Sequence, residues 1–136
     1  MHPTISKMQE IVTKGDEEAI KKILSRNIQF KPPTYYKTWT GRDPVAAILG
    51  HVGKIFRDFT YTRIMGYDKN WALEFNCKIG DLDIVGVDLI TLGEDGLIDI
   101  LEVTMRPLKS INELREAINS QVLKDPRFLK FKSALS

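Results

Sequence analysis

The chain has 136 residues, 43% hydrophobic and 28% charged, the balance of a globular protein rather than a disordered one. Twenty Lys and Arg against eighteen Asp and Glu leave a net charge of +2 with no basic stripe, which argues against nucleic-acid binding by counterion release. The lone cysteine, Cys77, excludes an internal disulfide and reads as a buried structural thiol; residues 1–15 hold no apolar leader-like run and no stretch of ~18 apolar residues occurs, so a cytoplasmic protein with no membrane span is expected.

Residues 1–136 read as one domain. Thr4 is placed to cap a first helix whose apolar positions Ile5, Met8, Ile11 and Val12 recur at helical spacing, with Gly15 to stop it. Asp16 caps a second helix, with Glu17 and Glu18 in its first turn and Ala19, Ile20, Ile23 and Leu24 as its buried stripe. From Asn27 to Trp39 the pattern lapses into an irregular, aromatic extended segment broken by Pro32 and Pro33. Asp43-Pro44 then starts a long helix down to about Phe56, on Val45, Ile48, Leu49, Val52 and Ile55. Gly50 and Gly53 inside it each cost ~1 kcal/mol relative to Ala, so a close neighbour is expected there.

After Asp58 the period changes to two. Phe59 to Tyr67, Trp71 to Ile79, Leu82 to Leu92 and Leu97 to Arg106 read as four consecutive strands, and their short links make them antiparallel. Pro107 opens a last helix through Leu108, Ile111, Leu114 and Ile118; Asp125-Pro126 stops it, leaving a tail expected to fray beyond Phe131. This is an α+β arrangement with the helices on one face of a curved sheet.

The segments GRDPVAAILG, DFTYTRIMGYD and GVDLITLGEDGLIDILEVTMRPLKSI resemble the nuclear transport factor 2-like superfamily and, within it, the SnoaL-like branch. The resemblance runs from about Ile5 to Ile118, and GVDLITLGEDGLI is its most specific part, similar to the ketosteroid isomerase and SnoaL pattern. It implies a cystatin-like fold: a cone-shaped curved antiparallel sheet wrapped around a long helix, an apolar pocket inside the cone, and commonly a homodimer through the outer sheet faces.

Asp88 breaks the β-branched, apolar run from Asp83 to Leu92 and is the one carboxylate whose setting points to chemistry. Side chains two apart share a face, so Ile84, Gly86, Asp88, Ile90 and Leu92 point one way and Val85, Val87, Leu89 and Thr91 the other. If Leu92 pairs with Leu97, Asp88 lies opposite Leu101, with Asp99, Val103 and Met105 on its face; a bulge at Gly96 would instead bring Glu102 there. The first pairing puts Val85, Val87, Leu89, Ile98 and Ile100 on an outer apolar patch that a second copy would bury, with Glu102 and Arg106 on that face. Met65, Leu73 and Phe75 join Asp88 on the concave side, and Tyr35, Tyr36 and Trp39 form the mouth or pack in the core.

Burial raises the pKa of an acid without a cationic partner, so Asp88 is either a hydrogen-bond donor to a small, mostly apolar ligand or a base. Otherwise it is a buried acid satisfied by Arg63, reaching diagonally past Leu73. His51, one residue off the helix stripe, either edges into the pocket to orient Asp88 or sits on the rim. By the resemblance, Asp88 stands where ketosteroid isomerase has its oxyanion-stabilising acid. Met8 and Lys31 stand where that enzyme has its tyrosine and its general base, which disfavours steroid isomerisation. Leu101 and Val103 likewise disagree with a limonene epoxide hydrolase site. Two histidines and one cysteine are too few for zinc, Val85 and Leu92 break a calcium loop, and no phosphate loop or nucleophile elbow is present, so neither metal nor cofactor is expected.

Overall fold

The computed structural model describes residues 1–135, with side chains from Met1 to Phe131. Helix α1 spans Pro3–Ile11, followed by a 3-10 turn at Val12–Lys14. The cap is not Thr4 but His2, whose Nδ1 accepts from the Thr4 N–H at 3.1 Å; the Thr4 hydroxyl instead donates to the Gly96 carbonyl. Gly15 ends the turn at φ +63°, a conformation that costs glycine nothing. Asp16 caps α2 (Glu17–Lys21) by accepting from the Ala19 N–H at 3.2 Å.

The expected helix through Leu24 stops early, because Leu24 begins a strand, β1 (Leu24–Lys31). This strand runs parallel to the last one, pairing Phe30 with Leu101 and Lys31 with Glu102, and its alternation of buried Ile28 and Phe30 with exposed Asn27 and Gln29 fits one covered face. Pro32 and Pro33, which lack N–H donors, end its ladder. A short β2 (Trp39–Thr40) returns against β1. The segment expected to be irregular thus supplies two strands.

Helix α3 (Arg42–Ile55) is capped by Gly41 at φ +104° rather than by Asp43, which lies in the first turn. A Cβ on Gly53 would sit 2.5 Å from the Val12 carbonyl oxygen, and Gly50 packs against Gly15 and Glu17, so both glycines permit the close approach inferred from the sequence.

Strands β3 (Arg57–Tyr67), β4 (Asn70–Ile79), β5 (Leu82–Leu92) and β6 (Ile98–Arg106) form the antiparallel run expected. With β1 and β2 the sheet has six strands in the order β2-β1-β6-β5-β4-β3, curved and unclosed, rather than the four of the sequence reading. The β5–β6 register differs from both expected pairings. Leu92 pairs with Ile98, a bulge follows at Asp99, and Asp88 lies opposite Val103. The two one-residue shifts add to an even number, so Leu101, Val103 and Met105 stay on the face of Asp88. Ile98 does not follow: ahead of the bulge, it turns into the core and is 1% exposed. On β3 a bulge between Tyr61 and Arg63 reverses the strand beyond it, which brings Ile64 opposite Leu73 and turns Arg63 and Met65 outward.

Helix α4 (Leu108–Leu123) seats Leu114 on the core and anchors its start through the Ser110 hydroxyl, which donates to the Asp83 carbonyl at 2.7 Å. Beyond Asp125-Pro126 the chain forms α5 (Arg127–Leu135), so its backbone is helical past Phe131 where fraying was expected. Phe128 is buried edge-on to Trp39, with ring centroids 5.8 Å apart. Cys77 is a free, buried thiol.

Candidate functional site

Asp88 sits in mid-β5, flanked by Leu73 on β4 and Val103 on β6, and is 5% exposed. The Tyr61 hydroxyl, on β3, donates to its Oδ2 at 3.2 Å. Among the described residues no other side chain bonds Asp88 and no buried side-chain oxygen or nitrogen lacks a partner, so Oδ1 opens on free space.

That space is a cavity of about 120 Å³ between the concave sheet, α3 and α4. Its walls are apolar: Met8 from α1, Ile48, Leu49 and Val52 from α3, Leu114 and Ile118 from α4, and Leu101, Val103 and Met105 from β6. Phe56, Phe59 and Phe75 close one side, with Phe59 stacked on Phe75 at 4.7 Å and edge-on to Tyr61 at 5.0 Å. Phe75 reaches this position because its cross-strand partner is Gly86, where any Cβ would strike the ring. Among the described residues Asp88 is the single charged side chain on the wall. Pro32, Pro33, Thr34 and Tyr35 line the far side, and there Tyr35 and Asn119 are joined through the Asn119 amide, which donates to the tyrosine oxygen at 3.0 Å.

The electrostatics follow from the dryness. Burial pushes the Asp88 carboxyl up to about 7, against the opposing pull of the Tyr61 hydrogen bond. Burial, then the Asp88 charge, raises the Tyr61 phenol well above its ordinary value, and burial takes the Cys77 thiol up to about 12. Asp88 near neutrality is therefore poised between a donor acid and an accepting base.

Of the residues singled out from the sequence, Trp39, Phe75, Asp88, Leu101, Val103 and Met105 line the cavity. Leu73 is fully buried beside Asp88 without reaching the cavity. Four others lie elsewhere. Tyr36 stands wholly in solvent, and Met65 is half exposed on the outward side of the β3 bulge. Arg63 is exposed and held by Glu74, its Nε 2.8 Å from Oε1, so it does not satisfy Asp88; the pairing draws Glu74 down to about 2. His51 Nε2 meets Asp125 Oδ2 at 3.0 Å, beneath α5 and away from the cavity. Tyr61 was the residue missed. Its signal was available: it shares the alternation of Phe59 and stands one strand beyond Leu73, but only the bulge after it tells Tyr61 from Arg63 as the inward side chain. Among the described residues no cluster of His, Cys, Asp and Glu is arranged to hold a metal.

No protein-family model matches the chain, and no curated protein does. Solved structures do. An uncharacterised protein conserved in bacteria with a cystatin-like fold, from Silicibacter pomeroyi, is 63% identical over 100% of this chain and 96% of its own, with a TM-score of 0.97. A steroid delta-isomerase from Pseudomonas aeruginosa is 26% identical over 89% of this chain and 90% of its own, at 0.84. A nuclear transport factor 2-like protein of unknown function from Burkholderia xenovorans, 17% identical over 75% and 79%, shares the fold at 0.67.

Proposed function

We propose, from the premise that this chain belongs to the nuclear transport factor 2-like superfamily of ketosteroid isomerase-like fold, that it binds a small, mostly apolar molecule in its cavity through Asp88. The observation that carries this reading is the pairing of an apolar cavity of about 120 Å³ with one unpartnered carboxyl oxygen. An apolar cavity of about 150 Å³ suffices for benzene, so the space beside Asp88 takes a group of about one small ring. Met8 on the wall, where the isomerase pattern has its tyrosine, sets the site apart from a steroid isomerase despite the relative's name. The rival is a structural dimer whose cone is filled by its own Tyr36, Trp39, Phe75 and Met105; of these Tyr36 lies in solvent, and the other three line the cavity without filling it.

Turnover is the second reading, and the Asp88 carboxyl near 7 favours it: an isomerase, cyclase or hydratase-type step would use it as acid or base. The working form in this proposal is a homodimer in the cytoplasm, its outer sheet faces together. Leu89 is 41% exposed there, with Val85, Val87 and Ile100 half-buried around it. Native mass spectrometry of the protein as purified tests the binding reading. A bound small mass, absent after Met105→Trp fills the cavity, is the expected result. A protein that takes up no apolar probe of one-ring size, at any concentration short of denaturation, would end it.

A further inference from the structure

We infer that Tyr61 is a positioning residue: by occupying Asp88 Oδ2 as a donor, it leaves the carboxyl proton on Oδ1, facing the cavity, and makes the site select ligands that accept a hydrogen bond. The inference rests on the cavity being a binding site.

A neutral carboxyl has one donor and one acceptor oxygen, and free in a cavity it can present either. Here the choice is made from outside. The Tyr61 O–H points at Oδ2 over 3.2 Å, and an oxygen receiving a donor hydrogen is the poorer place for the acid's own proton. Tyr61 is itself fixed, edge-on to Phe59 at 5.0 Å and to Phe75 at 6.4 Å. The remaining oxygen, Oδ1, opens on the cavity as a donor. A ketone, aldehyde or ether of one-ring size satisfies it with a single acceptor. A ligand that offers only an N–H donor, as pyrrole does, leaves two donors facing each other in a dry space, whereas a hydroxyl can still accept through its oxygen.

No other group blurs this assignment. On β4 the neighbours are Leu73 and Cys77, whose thiol stays protonated; on β6 they are Leu101, Val103 and Met105. Helices α1 and α3 bring only apolar side chains to the cavity, and α4 adds Asn119, already engaged with Tyr35. Arg63, the nearest strand cation in sequence, is turned outward to Glu74. Once Asp88 ionises, both oxygens accept and the preference inverts, so the crossover follows its titration.

The protein carries its own reporters. Met8 and Met105 line the cavity, whereas Met1 and Met65 are exposed controls. In protein labelled at the methionine methyl carbons, cyclopentanone, which only accepts, and pyrrole, which donates, are titrated separately from pH 5 to pH 9, with cyclopentane as a reference. The expected result is movement of Met8 and Met105 alone, cyclopentanone binding at least several-fold tighter than pyrrole on the acid side and the order reversing on the alkaline side. Tyr61→Phe should bring the acid-side ratio toward one and move the crossover to higher pH. Should that variant not fold, incorporation of 3-fluorotyrosine, whose hydroxyl is the stronger donor, should move the crossover to lower pH. If probes bind but ratio and crossover match the parent in both proteins, Tyr61 has no positioning role while the cavity reading stands. If no probe moves Met8 or Met105, the cavity reading fails and takes this inference with it.

Discussion

The ring of Phe75 lies across Gly86: a Cβ added to that glycine would sit 2.4 Å from the ring's Cζ. The two are cross-strand partners, and the same ring stacks on Phe59 and lines the cavity. One absent methyl therefore sets the position of a cavity wall. Gly86→Ala should force the ring toward the cavity and destabilise the protein by roughly 1–3 kcal/mol, the usual cost of overpacking. For a chain of this size that is a loss of roughly 3–12 °C in melting temperature. Calorimetry reads it, and a melting point within a degree of the parent would mean that the ring yields without strain.

Asp88 gives the protein an unusual pH dependence. Its carboxyl is raised to about 7 in the fold but titrates near its ordinary value when unfolded, so between roughly pH 4 and pH 7 the native state holds the extra proton. Stability contributed by this group is therefore highest in acid and falls as pH rises through that window, by up to about 1.4 kcal/mol per unit, and is level above it. Asp88→Asn keeps the shape without the charge. Urea titrations across pH 5 to 8 should show the variant gaining on the parent as pH rises, while equal slopes would mean that Asp88 is not desolvated as its burial indicates.

Much of this was legible in the sequence because its signals are local. Period-two alternation located β3 to β6 within two residues, the proline and glycine stops placed α1, α3 and α4 closely, and the resemblance carried by GVDLITLGEDGLI named the fold. The site was legible by parity. Asp88, Val103 and Met105 share a face whether the register slips by zero or by two. Bulges, by contrast, leave no clear mark on residue type. The one at Asp99 moved Ile98 into the core, and the one beyond Tyr61 exchanged Ile64 for Arg63 and Met65 on the concave side. Strand β1 was hidden for a different reason: its partner is β6, some seventy residues on, and the alternation of Ile28 and Phe30 with Asn27 and Gln29 is too short to be set apart from the helical stripe before it and the prolines after it.

A cluster outside the cavity pins the last helix. Asp125 accepts from Arg127 at 2.7 Å and from His51 Nε2 at 3.0 Å, while Arg127 also reaches Glu17 on α2. Hydrogen bonds from Arg127, then from His51, hold the Asp125 carboxyl well below the ordinary range, so its contribution is present at neutral pH and is lost only as pH falls below the unfolded value. This is the reverse of Asp88. Asp125→Ala should cost roughly 1–2 kcal/mol at pH 7, and should free α5 to exchange its amide protons faster than α3. Hydrogen exchange resolved by segment tests this. Unchanged protection from Arg127 onward would assign the docking of α5 to Phe128 and the Arg127–Glu17 pair rather than to Asp125.

The outer sheet face is where the proposed dimer is tested. Leu89 projects between Ala72 on β4 and Glu102 on β6, with Val85, Val87 and Ile100 on the same side. A β-branched and aliphatic strip at the centre of a face, edged by Glu74, Glu102, Thr104 and Arg106, has the apolar core and polar rim of an interface between copies. A two-fold axis through the strip would bring Leu89 near its own image. Leu89→Arg would then set two buried cations against each other, whereas on a monomer it would be a harmless surface change. Sedimentation at micromolar concentration should show a dimer for the parent and a monomer for the variant, with the melting temperature of the variant newly independent of concentration. A parent that sediments as a monomer, with Leu89→Arg equally stable, would leave the strip as ordinary exposed surface and the cavity as the work of one chain.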